Sequence, residues 1–108
     1  MTKRYYQLTL IKVCSLDMVP RGSQKTFRVK GLEILVINFN GELFCLQGRC
    51  THAGAPLAEG TVEDNILTCP WHGSKFRITT GEVIKNPATK NLATYKYTIS
   101  DNSVYVDL

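Results

Sequence analysis

Both histidines of this 108-residue chain fall inside one repeated arrangement: Cys50-Thr51-His52 and Cys69-Pro70-Trp71-His72-Gly73, with sixteen residues between His52 and Cys69. No other feature constrains the fold as much. A thiolate and an imidazole, offered twice, are donors that a metal centre uses. To bring them together, two separate loops must meet. The residues after each pair suit such loops. Ala53-Gly54-Ala55-Pro56 and Gly73-Ser74 are small or turn-forming, so backbone amides can approach a bound group closely.

A Cys₂His₂ set serves either zinc or an unsymmetrical [2Fe–2S] centre in which two His replace two Cys on one iron. Zinc fingers usually take both Cys from one element and both His from a helix. Here each short segment supplies one of each. Two loops arriving from opposite sides could each give a Cys to one iron and a His to the other. A structural zinc module acting in interactions is the alternative.

The remaining pattern is β throughout. Leu8, Leu10 and Val13 give an imperfect first strand, and Ser15-Leu16-Asp17-Met18 predicts one helical turn capped by Ser15. Pro20-Arg21-Gly22 makes a turn. Phe27 and Val29 alternate with polar residues, and Leu32 to Phe39 is rich in Ile, Val and Leu. Asn40-Gly41 is a strong type I′ hairpin signal leading into Glu42 to Gln47. Thr61 to Asn65 is polar and reads as a connection to a strand, Ile66-Leu67-Thr68. Lys75 to Ile78, a Thr79-Thr80-Gly81 turn and Glu82 to Ile84 follow. Tyr95, Tyr97 and Ile99 alternate with Thr94, Lys96 and Thr98. A turn at Ser100 to Ser103 leads into Val104-Tyr105-Val106. Short strands joined by turn signals predict an all-β protein, a small antiparallel sandwich or barrel.

The segments CTHAGAPLAEG (50–60) and CPWHGSKF (69–76) resemble the two cluster-binding boxes of Rieske iron–sulfur proteins. Within that family the chain looks most like the small ferredoxins that serve oxygenases, and the likeness covers nearly its whole length. The resemblance implies the Rieske fold, with a β-sandwich or barrel base and a cluster-binding subdomain of two loops. Residues 1–108 would form one domain, with base sheets at about 1–45 and 89–108 and the cluster subdomain at about 46–88. It implies one [2Fe–2S] cluster, with Cys50 and Cys69 on one iron and His52 and His72 on the iron that accepts the electron. His edges at the protein tip would be flanked by a docking surface of Ala53, Gly54, Pro56, Trp71 and Pro87, Pro87 lying in the family's cluster-covering segment.

Respiratory members of the family carry a membrane anchor and a cross-loop disulfide. Here the disulfide positions hold Ala55 and Trp71, and no stretch approaches ~18 consecutive apolar residues. The start of the chain lacks an apolar run of signal-peptide length. These features predict a soluble, cytoplasmic protein with no membrane contact. Cys14 and Cys45, in apolar runs far from the boxes, read as buried reduced thiols. The net charge is +4, with 13 Lys and Arg against 9 Asp and Glu. The basic residues are scattered along the chain, which argues against nucleic acid and fits docking on an acidic redox partner.

Imidazoles are neutral and thiolates negative, so a Cys₂His₂ cluster is easier to reduce than an all-Cys one. Rieske centres span roughly −150 to +300 mV. High-potential members carry a Ser directly after the box-two Gly and a Tyr two residues later, both donating to cluster sulfurs. This chain has Ser74 at the first place and Phe76 at the second, which predicts a low to intermediate potential. The free ring N–H of each ligating His should couple electron uptake to proton uptake at alkaline pH. Both His are used by the cluster, leaving none for a mononuclear iron triad. The expected activity is therefore electron transfer: a monomeric one-electron carrier between a flavin-dependent reductase and a terminal, ring-hydroxylating type oxygenase. The alternative within the family is a Rieske small subunit of a larger reductase, such as nitrite reductase.

Overall fold

Four two-residue turns set the architecture. Lys30-Gly31, Asn40-Gly41, Asp64-Asn65 and Asp101-Asn102 all have both residues at positive φ, between 49° and 89°. That is the type I′ geometry, whose twist matches antiparallel strands. The computed structural model describes residues 10–108, so Leu8 lies outside the described residues. The turns close four hairpins. β2 (Gln24–Val29) pairs with β3 (Leu32–Phe39), which pairs with β4 (Glu42–Gln47). β5 (Thr61–Glu63) pairs with β6 (Ile66–Thr68), and β10 (Tyr97–Ser100) with β11 (Ser103–Asp107). With β1 (Leu10–Ser15), β7 (Lys75–Arg77), β8 (Val83–Lys85) and β9 (Thr94–Tyr95), they form three antiparallel sheets of order β1-β11-β10, β2-β3-β4-β9 and β5-β6-β7-β8.

The middle sheet is buried on both faces along the centre of β3. Ile34 and Val36 of β3 face one core with Cys14, Val29, Leu43, Cys45, Val104 and Val106. Leu35 and Ile37 face the other with Leu46, Leu57, Leu67, Phe76 and Ile78. This explains the unbroken apolar run of β3, since alternation disappears when neither face meets water. The second core also contains Cys50 and Cys69, so the loops rest on the middle sheet. The chain leaves that sheet after β4, builds β5 to β8, and returns as β9 beside β4, with Cys45 opposite Tyr95.

Several expectations need correction. Thr61 to Asn65 holds a strand, β5, closed by the Asp64-Asn65 turn. Only Val62 of β5 is half-buried, and three residues are too few for alternation to register. The Thr94 to Ile99 alternation is split at Lys96, because β9 belongs to the middle sheet and β10 to the outer one. Ser15 precedes a 3₁₀ turn, Leu16–Met18, yet its hydroxyl makes no capping bond. Asp17 and Met18 are exposed, so water can serve the free amides, and Leu16 N–H donates to Asn102 O at 2.8 Å.

Cys14 and Cys45 are free and buried in one core, as expected. Burial pushes the Cys45 thiol up to about 12, with the neighbouring Cys14 adding to the shift. Burial raises Cys14 too, against the opposing charge of Lys12. Among the described residues no helix is long and apolar enough to cross a membrane.

Candidate metal centre

The two boxes close in the same way. Cys50 N–H donates to Ala55 O at 2.9 Å, and Gly54 N–H donates to Cys50 O at 2.9 Å. Cys69 N–H donates to Ser74 O at 2.8 Å, and Gly73 N–H donates to Cys69 O at 3.2 Å. Each loop therefore spans the cysteine and the five residues after it, and each has a glycine at positive φ in its fifth place, Gly54 at 73° and Gly73 at 77°. A β-carbon is disfavoured in that left-handed conformation. Both loops spring from strand ends, box one from β4 and box two from β6.

Burial sorts the four donors into two pairs. Cys50 and Cys69 are 4% and 3% exposed and lie in one core. Burial pushes the Cys50 thiol up, while the backbone amides of His52 and Ala53 donate to it and pull it back. His52 and His72 are exposed and meet edge to face, with ring centroids 5.1 Å apart and planes at 84°. A tetrahedral zinc would need all four donors around one point. Among the described residues, no three His, Cys, Asp or Glu side chains converge that closely. A binuclear cluster needs two donors per iron, so a cysteine pair below a histidine pair is a donor set that fits it.

Contacts from distant sequence hold the loops. Ser74 is fully buried, and its Oγ accepts from Ala88 N–H at 3.0 Å. Ala88 follows the cis Asn86–Pro87 bond, so this contact ties the proline segment to box two. Thr51 Oγ1 donates to Lys90 O at 2.7 Å, tying the same segment to box one. Arg49 braces box one from outside: Nη1 donates to Gly54 O at 3.0 Å and Nε to Glu33 Oε2 at 2.9 Å. The guanidinium holds the Glu33 carboxyl below its ordinary value, chiefly through that hydrogen bond. Gln24 Nε2 donates to Ala58 O and Gly60 O at 2.8 and 2.9 Å, fixing the 3₁₀ turn Leu57–Glu59 that ends box one. Apart from Arg49 to Gly54, which lies within box one, these braces carry no local sequence signal, because each partner comes from a different strand or loop.

The remaining predicted site residues divide between surface and interior. Trp71 is 54% exposed, and Ala53 and Pro87 are exposed. Gly54 and Pro56 are half-buried. Ala55 and Phe76 are fully buried, Phe76 in the core that holds both cysteines.

An all-β scaffold carrying two matched Cys/His loops has the make-up of a small iron–sulfur domain. The chain belongs to the Rieske [2Fe-2S] domain family, whose model matches residues 9–96. It is 36% identical over 101 residues to the ferredoxin component of a biphenyl 2,3-dioxygenase from Rhodococcus jostii, covering 94% of each chain. The ferredoxin of Sphingomonas yanoikuyae B1 superposes with a TM-score of 0.85 at 31% identity, over 93% of this chain and 99% of that one. The ferredoxin in a complex of reduced oxygenase and oxidized ferredoxin of carbazole 1,9a-dioxygenase gives 0.82 at 27% identity, over 94% of each.

Proposed function

We propose that the protein is a one-electron carrier and not a catalyst, taking electrons from a flavin-dependent reductase and passing them to a terminal, ring-hydroxylating type oxygenase. One observation carries the reading: two identically closed loops hold a buried cysteine pair beneath an exposed histidine pair. The relatives named as dioxygenase ferredoxins support it. Cys50 and Cys69 would hold one iron of a [2Fe–2S] cluster, and His52 and His72 the other. Such a cluster supplies reversible one-electron chemistry.

The chain's own residues do the rest. Cys50 and Cys69 lie away from water, while His52 and His72 are exposed, so the imidazoles are where an electron would enter and leave. The amides of His52 and Ala53 offset negative charge on the Cys50 sulfur. Ser74 uses its oxygen on Ala88, leaving its hydroxyl proton to donate. Trp71, Ala53, Gly54 and Pro87 form the docking rim, and Phe76 packs below. The cluster-binding subdomain would span about 46–88 on a base of about 1–45 and 89–108, in a cytoplasmic monomer.

Low-temperature EPR of the dithionite-reduced protein tests this. The expected result is a rhombic signal with an average g clearly below that of all-Cys [2Fe–2S] ferredoxins. A silent, colourless protein with stoichiometric zinc would overturn it. Stable co-purification with a large reductase subunit would place the chain in that assembly instead.

A further inference from the structure

The basic residues look scattered in the sequence, but the fold sorts them. Three segments build the end that carries the histidines: 49–56, 69–75 and 85–91, joined through the Thr51–Lys90 and Ala88–Ser74 hydrogen bonds. They contain Arg49, Lys75, Lys85 and Lys90 and no acidic residue. Of the 13 cationic and 9 anionic side chains, that leaves nine of each elsewhere, so the whole formal charge of +4 lies in these segments.

Arg49 is matched by Glu33 at 2.9 Å. Lys75, Lys85 and Lys90 make no ion pair among the described residues. Lys75 Nζ donates to the neutral Thr68 Oγ1 at 2.8 Å, and Lys85 stands directly opposite Lys75 across the β7–β8 ladder. Like charges facing each other across a ladder oppose folding. Lys85 and Lys90 are exposed, and in the same three segments Ala53, Pro70, Trp71 and Pro87 are exposed, as are His52 and His72. An apolar centre with a charged rim is the make-up of a docking surface, and a rim of one sign steers the encounter.

We infer that this end docks on a protein partner whose contact face is acidic around an apolar seat. The inference rests on the electron-carrier reading of the same site. The probes are a carboxymethyl matrix, which presents carboxylates, and two outer-sphere oxidants of opposite charge, ferricyanide and tris(phenanthroline)cobalt(III). Each takes one electron from the dithionite-reduced holoprotein; ferricyanide becomes ferrocyanide. The Lys85→Gln/Lys90→Gln variant is compared with Lys12→Gln/Lys96→Gln, which removes the same charge from two exposed side chains outside these segments.

The first variant should elute at clearly lower salt than the second. Its ferricyanide rate at low ionic strength should fall on the order of fivefold, against less than about twofold for the second, while its cobalt rate rises. Equal elution and equal rates for the two variants, in protein that shows the EPR signal, would overturn this inference alone. A wild-type protein without that signal would remove the carrier reading and this inference with it.

Discussion

Ser74→Ala separates a structural serine from a functional one. Ser74 is 0% exposed and Ala88 1%, and the Ser74 oxygen is the acceptor for the Ala88 amide at 3.0 Å. Alanine leaves that N–H buried without a partner, at a cost of about 1–3 kcal/mol. For a domain of this length each kcal/mol moves the melting midpoint by about 4–5 °C, so the apparent midpoint should fall by about 4–15 °C. Thr51→Val is the comparison. It also unties the proline segment, but the Thr51–Lys90 bond is solvent-exposed, and water can replace the lost donor. Its cost should stay below about 1 kcal/mol. Anaerobic melts followed by circular dichroism and visible absorbance read both. A Ser74→Ala midpoint within about 2 °C of wild type, or equal losses in the two variants, would refute the burial argument. Voltammetry adds a readout that a mere turn residue would not move. If the Ser74 hydroxyl proton donates to the cluster, the Ser74→Ala potential falls.

Three further outcomes are expected. A β-carbon at Gly60 would collide with Thr68 O, whereas one at Gly22 meets nothing within 4 Å, so Gly60→Ala should lose far more stability in urea than Gly22→Ala. Equal losses would show that backbone conformation, not space, decides both. Cys45 has its folded value raised above the ordinary 9.0 to about 12, so its contribution is complete below pH 9 and is lost as pH rises through about 12. Stability should therefore fall across that window by up to roughly 1.4 kcal/mol per pH unit, and Cys45→Ala should flatten the fall. An unchanged alkaline limb in that variant would exclude Cys45 as its cause. Phe76→Tyr places a hydroxyl in the core that contains both cysteines and should raise the reduction potential; an unmoved potential would mean that the hydroxyl does not reach the cluster.

The I′ turns show where sequence logic holds and where it stops. Asn40-Gly41 is legible because Asn and Gly tolerate positive φ, and the structure puts them at 56° and 89°. Lys30-Gly31 makes the same turn at 50° and 79°, but lysine has no such preference, and strand pairing forces the conformation. The strand division at Lys96 is illegible for a related reason. Local alternation runs on through residue 96, and only the sheets on either side decide that the chain changes partner.

By itself, the sequence determined the donor chemistry, the loop positions and the β character, because ligand type, glycine placement and alternation are local properties. The tertiary structure decided what is non-local. It placed the cysteines in the core and the histidines at the surface, bound Ser74 to Ala88 and Arg49 to Glu33, and gathered four separated basic residues into the segments around the histidines. Those outcomes depend on which distant segments meet, and that is set by how the three sheets bury their apolar faces.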